Sequence, residues 1–367
     1  MPLAPASPPA RRPHSWRRRL LLAAFGCAVG LFLCEGGARG IAYARQQHAR
    51  SDWERLRGPR EHPRAAATLG DMVRISDDPR VVYELQPGAC VEFQGQECRI
   101  NSLGFRGPEW PARARARGSL RILGLGDSVM FGWGVREQDC FLRVLERELA
   151  QSRDGRPVEV LNTGVPGYNT AMEVAAFERL SSQWQPDVVL IDYVGNDACL
   201  PNLIAGSNPW VDWRHSYLVD LLRVALGRAS RRCADPLQPA PSDGVAFESD
   251  PDRVPEQYRD MVGEPGVEKA LRRLRDLSVE RHFHLLVASH HGVPDFVQRI
   301  CADLGVPLVL NLPGVVAWLE QHGQHEADYR RSELVFSFED PHPTALAHQR
   351  YAATLADFLR KSGWLEQ

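Results

Sequence analysis

From residue 120 to the C-terminus the chain alternates two kinds of text, and this alternation restricts the available folds more than any other feature. Short uninterrupted apolar runs occupy residues 121–126, 158–162, 187–193, 284–289 and 307–312. Helix-like stretches lie between or after them, at residues 139–151, 171–183, 267–281, 294–304 and 343–360. Apolar runs without polar alternation suit strands covered on both faces, as in a parallel sheet flanked by helices. The pattern predicts a doubly wound α/β domain. Residues 198–263 break it with Pro-, Trp- and Asp-rich text around one amphipathic segment at 217–228, which reads as an insertion after the third strand. At 367 residues and 44% hydrophobic content, the chain can bury a sizeable core.

The N-terminus has a different character. Arg11, Arg12, Arg17, Arg18 and Arg19 precede an uncharged run from Leu20 to Cys34. As a helix that run rises only ~22 Å, against a hydrocarbon core of ~30 Å. Continued to Tyr43 it reaches ~36 Å, and it then contains Glu35 and Arg39, four apart and able to pair. The expected organisation is a basic cytoplasmic tail (residues 1–19), a single-pass transmembrane signal anchor (20–43), a spacer with a small β extension (44–118), and a main domain (119–367) outside the cytoplasm. A signal peptide cleaved at Ala42-Tyr43-Ala44 is the rival. A lipoprotein through Cys27 or Cys34 fits less well. Each of these export readings puts the main domain in the same extracytoplasmic compartment, the periplasm.

A formal charge of −2 gives no reason to expect nucleic acid as a partner. Eight cysteines fit an oxidising compartment. Cys90 and Cys98 flank a plausible hairpin and could form a local disulfide, while Cys199 and Cys233 could close the insertion. Cys140 and Cys301 read as helix-face packing residues. No P-loop, dinucleotide fingerprint or zinc-ligand spacing occurs, so no cofactor or metal is implied.

In a doubly wound sheet, ligands gather at the carboxyl ends of the strands. The first strand ends in Gly126-Asp-Ser128, with Gly124 and Gly126 permitting close backbone approach. The second is followed by Asn162-Thr-Gly-Val-Pro-Gly-Tyr-Asn-Thr170 and the third by Val194-Gly-Asn-Asp197. Near the C-terminus lies Glu339-Asp-Pro-His-Pro343. A serine, a histidine beside carboxylates and a neutral amide donor are the groups acyl transfer needs.

These four blocks, in this order, resemble the SGNH or GDSL hydrolases and their acyl-transferring relatives. The lead-in Asn101-Ser-Leu-Gly-Phe-Arg-Gly107 is similar to membrane-anchored bacterial members. The resemblance implies a flavodoxin-like sheet and a serine esterase acting on a small acyl ester, such as an O-acetyl group on a polysaccharide, or transferring that group to a sugar hydroxyl; a lipid carrier is also open. It implies Ser128 as nucleophile, His342 as base, and an oxyanion hole from the backbone N–H groups of Ser128 and Gly167 with the side chain of Asn196.

The triad acid is open between Glu339 and Asp340. Pro341 and Pro343 bias Asp340 and His342 toward extended backbone, where residues two apart share a face, so Asp340 is expected. A tight turn would favour Glu339. The competing function is a non-catalytic glycan-binding or scaffold protein that retains the fold. Asp127 and Asp197 are expected to hold loops, His290 and His291 to support the cleft at most, and His348 to pack. Trp210 and Trp213 could form a sugar-stacking platform or pack the insertion onto the core.

Overall fold

The structure, a computed structural model, describes residues 16–56, 69–109, 118–152, 157–180, 184–201, 210, 216–226, 247–252, 254, 256–338 and 340–366. Most of the basic tail, Trp213, Cys233 and Glu339 lie outside the described residues. A single long helix, α1 (Trp16–Leu56), opens the chain. Its segment Arg18–Ala44, 27 residues with 0% of the apolar window buried, is long and apolar enough to cross a membrane. The helix continues past Ala44, where the spacer was expected to begin.

Two hairpins follow. β1 (Val73–Ile75) pairs antiparallel with β2 (Tyr83–Leu85), and β3 (Cys90–Phe93) with β4 (Gln96–Arg99). Gln94 and Gly95, both at positive φ, close the second hairpin, as two-residue hairpin turns require. The hairpin was anticipated, but the Cys90–Cys98 disulfide is not formed. Cys90 lies opposite Arg99 and Cys98 opposite Val91. The two cysteines are therefore out of register by one and point to opposite faces of the ribbon. Cys90 is exposed and Cys98 buried.

The main domain is built on β5 (Leu120–Leu125), β6 (Val158–Asn162), β7 (Val188–Asp192), β10 (His284–Ser289) and β11 (Leu308–Leu310), all parallel. Their spatial order is β11-β10-β7-β5-β6, the doubly wound, flavodoxin-like order. Every residue of β5 and β7 is buried, which is why their sequences carry no polar alternation. Side chains alternate between two cores. Ile122, Val188, Leu190 and Leu286 face α3 (Phe141–Ser152) and α9 (Ala345–Ser362). Leu123, Val189, Ile191 and Val287 face α4 (Thr170–Leu180), α6 (Gly263–Arg281) and α7 (Asp295–Leu304).

Between β7 and α6, the short strands β8 (Leu200–Pro201) and β9 (Phe247–Glu248) pair at the base of the insertion, which also carries α5 (Tyr217–Ala225). Among the described residues, the ten-residue helix α8 (Leu312–Gln321) had no counterpart in the sequence reading. Leu312-Pro-Gly314 is turn-like text, but proline in a first helical turn has no intrahelical partner to lose.

Candidate active site

The short helix α2 (Ser128–Phe131) begins where β5 ends. Asp127 caps it, its Oδ1 accepting the Val129 N–H at 2.9 Å while Oδ2 accepts the Ser128 hydroxyl at 3.1 Å. The tight exit depends on glycine. A Cβ on Gly126 would sit 2.5 Å from Met130 Cβ, and one on Gly124 2.5 Å from Leu142 Cδ1. Both contacts are closer than packed carbon atoms approach.

The loop after β6 is bonded onto this turn. Val165 N–H donates to Gly126 O at 3.0 Å, Thr163 Oγ1 to Gly124 O at 2.7 Å, and Asn162 Nδ2 to Met130 O at 2.7 Å. The loop after β7 is bonded in turn to that one. Asn196 Nδ2 donates to Tyr168 O at 3.2 Å and Thr170 Oγ1 to Asp197 Oδ2 at 3.1 Å. Gly167, at φ 83°, lies between Pro166, whose carbonyl accepts the Tyr83 hydroxyl at 2.7 Å, and Tyr168, whose carbonyl accepts Asn196. The blocks carrying Ser128, Gly167 and Asn196 thus form one bonded cluster over three adjacent strand ends, at the switch point of the sheet.

His342 reaches the cluster from the C-terminal segment. Its Nε2 is 2.9 Å from Ser128 Oγ and its Nδ1 is 2.5 Å from Asp340 Oδ1. The same Asp340 oxygen accepts the His342 backbone N–H at 3.2 Å. The segment is pinned by a bridge between Val335 and Pro343 and by Phe336 N–H donating to His342 O at 3.2 Å. The hydrogen bond from His342 holds the Asp340 carboxyl below its ordinary pKa, so it carries charge. Of the two candidate acids, the structure places Asp340 on the ring; Glu339 lies outside the described residues.

Two contributors were not anticipated. Trp133 stacks on the His342 ring, centroids 4.8 Å apart and planes 13° from parallel, and Phe93 of β3 packs edge-on against Trp133 at 4.8 Å. Arg106, from the Asn101–Gly107 lead-in, is buried and donates to the carbonyls of Phe131 at 3.0 Å and Val135 at 2.6 Å, and also to Gly132. It therefore satisfies the last carbonyl of α2, that of Phe131, and two carbonyls of the turn that follows it, which no helical N–H reaches. The Gly132-Trp-Gly134 text beside the serine was the available signal for Trp133. Thus the hairpins pack onto the site loops: Tyr83 and Phe93 share a core with Val165, Tyr168, Phe131 and Trp133.

The remaining polar candidates are placed as follows. His290 is buried, with Nε2 3.2 Å from the Tyr329 hydroxyl, and burial pushes its pKa well down. His348 lies inside α9, accepts the Phe141 N–H at 3.2 Å, and is pushed down to about 3 by burial. Trp210 lies against Gly40 of α1, where a Cβ would be 4.0 Å from its ring. Glu173, Asp192 and Asp197 are buried beneath the loops, and burial raises the pKa of each.

The doubly wound sheet thus gathers the polar groups of the site at the carboxyl ends of its strands. The model of the GDSL-like lipase/acylhydrolase family matches residues 125–350, and the chain belongs to that family, with the SGNH hydrolase fold. Solved structures similar to it include TesA, 15% identical, covering 66% of this chain and 98% of that one with a TM-score of 0.40. Another is the psychrotrophic esterase EstA from Pseudoalteromonas sp., at 13% identity, 67% and 99% coverage and a TM-score of 0.39. A third is the acetyl xylan esterase AlAXEase, at 12% identity, 65% and 100% coverage and a TM-score of 0.39. No curated protein matches the chain in sequence.

Proposed function

We propose that this GDSL-family protein is a serine esterase that removes a small acyl group, an O-acetyl group on a polysaccharide being the favoured substrate. The observation that carries the proposal is the line from Asp340 through His342 to Ser128, at 2.5 and 2.9 Å. In this reading His342 Nε2 takes the Ser128 proton as Oγ bonds to the acyl carbon. The oxyanion is received by the N–H groups of Ser128 and Gly167 and by Asn196 Nδ2. Collapse breaks the ester C–O bond, and His342 returns the proton to the leaving alkoxide. Water, deprotonated by His342, then releases the acid. A sugar hydroxyl in place of that water would make the same acyl-enzyme a transferase. Asp340 holds the ring and stabilises its cationic form.

The proposal includes location. The arginines ahead of Leu20 favour a cytoplasmic N-terminus, with α1 as an uncleaved anchor and the hydrolase domain in the periplasm. The test of the chemistry is a series of p-nitrophenyl esters of increasing chain length, with Ser128→Ala as control, beside labelling by a fluorophosphonate. Hydrolysis favouring acetate, with label on Ser128, is expected. Folded protein that neither hydrolyses the esters nor takes the label would refute the enzyme and favour a glycan-binding or scaffold role.

A further inference from the structure

Glu35 lies within the apolar span of α1, yet its carboxylate is fully engaged. Arg39 Nε donates to it at 2.9 Å, one turn away. The other donors come from far along the chain: Ser216 Oγ at 2.9 Å, Tyr217 N–H at 3.1 Å and Leu218 N–H at 3.0 Å. These are the first groups of α5. A carboxylate there satisfies donors that no carbonyl inside the helix reaches and complements the positive end of the helix dipole. The Arg39 guanidinium lies over the Tyr217 ring at 5.2 Å, and Trp210 packs at Gly40. The insertion of the hydrolase domain is therefore attached to α1 at a defined height.

That height can be worked out. If the hydrocarbon begins at Leu20, just past the arginines, a core of ~30 Å is spanned by ~20 helical residues, ending near Arg39. Glu35 then lies ~6 Å inside the outer edge of the hydrocarbon. Amphipathic helices that lie on membranes bury their apolar face ~5–10 Å into the boundary between headgroups and acyl chains. The start of α5 falls at that depth.

The surface of α5 agrees with the position. Val219, Leu222 and Leu226, spaced three and four apart, form one stripe and are 43%, 52% and 67% exposed. Exposed Leu31, Phe32, Leu33 and Ile41 of α1 make a similar apolar surface at neighbouring heights. An apolar stripe left open beside a membrane span is covered by the solvent the span itself requires.

We propose that α5 is an interfacial membrane helix: its Val219–Leu222–Leu226 stripe lies in the outer half of the bilayer, and Glu35 locks it to the anchor so that the hydrolase domain is held against the lipid surface. The proposal rests on the anchor reading of α1 given above. It explains why an acidic residue is placed within the span.

The test uses the full chain in vesicles of phosphatidylethanolamine and phosphatidylglycerol. p-Benzoylphenylalanine replaces Phe25, Leu222, Leu226 or Glu280 one at a time, and lipid adducts are read as mass shifts after irradiation. Phe25 reports on the anchor, and Glu280, exposed on α6, reports on the domain surface. Lipid adducts at Phe25, Leu222 and Leu226 but not at Glu280 are expected. In the Glu35→Ala background the adducts at Leu222 and Leu226 should be lost while that at Phe25 remains. An adduct at Phe25 with none at Leu222 or Leu226 overturns the interfacial helix and leaves the anchor standing; protein cross-links there would identify another occupant. Absence of the Phe25 adduct overturns the anchor and the proposal together, and an adduct at Glu280 as strong as at Leu222 removes the specific role of the stripe.

Discussion

Replacing Asp340 by Asn removes a charge while keeping the shape of the group beside His342. Asp340 Oδ1 is 2.5 Å from Nδ1, but the two side chains are 39% and 26% exposed. The cost is the lost attraction between carboxylate and imidazolium in the transition state. At a charge separation of ~4 Å that attraction is ~1 kcal/mol in water and ~4 kcal/mol at an effective dielectric of ~20. Partial exposure places this pair between the limits, and screening lowers it further, so ~2–3 kcal/mol is the working figure. This corresponds to a fall in kcat of about 30- to 200-fold. It is smaller than the ~10⁴-fold loss seen when the equivalent group is deeply buried. The assay is steady-state hydrolysis of a saturating p-nitrophenyl acetate near neutral pH, with folding checked by circular dichroism. Glu339→Gln, made in parallel, should stay within a few-fold of the parent. A folded Asp340→Asn protein with undiminished kcat, or a larger loss from Glu339→Gln, would show that the charge partner of His342 has been misassigned.

Three other outcomes are expected. Asn196→Ala should lower kcat by roughly 10²–10³, as loss of one oxyanion donor does; near-parental turnover in folded protein would return Asn196 to the role of a loop clamp on Tyr168. Gly164→Ala should cost about 1–3 kcal/mol in urea denaturation, because its Cβ would lie 2.4 Å from Phe131 N, a backbone atom that cannot swing aside; an unchanged midpoint would contradict the close approach of the loop after β6 to α2. Among the described residues Glu173 has no hydrogen-bond partner on either carboxylate oxygen, and burial raises its folded pKa well above the ordinary value. Above the unfolded value near 4.5 the unfolded chain ionises while the folded chain keeps its proton, so wild-type stability falls as pH rises, by up to ~1.4 kcal/mol per unit. Glu173→Gln removes that dependence, and the melting temperature of the variant relative to wild type should climb between pH 5 and 7; a difference independent of pH would mean Glu173 is ionised when folded.

Local text determined a good deal about this protein. The uninterrupted apolar runs placed the five parallel strands within a residue or two, because strands buried on both faces have nowhere to put a polar side chain. The resemblance of the separated motifs to GDSL hydrolases named Ser128, Gly167, Asn196 and His342 as a candidate set, and a parallel sheet carries the loops of the first three to one edge. The prolines of Asp340-Pro-His342 favoured Asp340 over Glu339 as the neighbour of the ring; Asp340 Oδ1 lies 2.5 Å from His342 Nδ1, while Glu339 lies outside the described residues. Other features depended on register and packing between distant segments. One residue of register offset separated Cys90 from Cys98. Trp133 came to lie on His342, and Arg106 on the carbonyls closing α2, through contacts across the fold. Glu35 and Arg39 could be paired from their spacing alone. That the same carboxylate also receives the start of α5, some 180 residues away, was decided only when the chain folded, because a helix end accepts any carboxylate that packing brings to it.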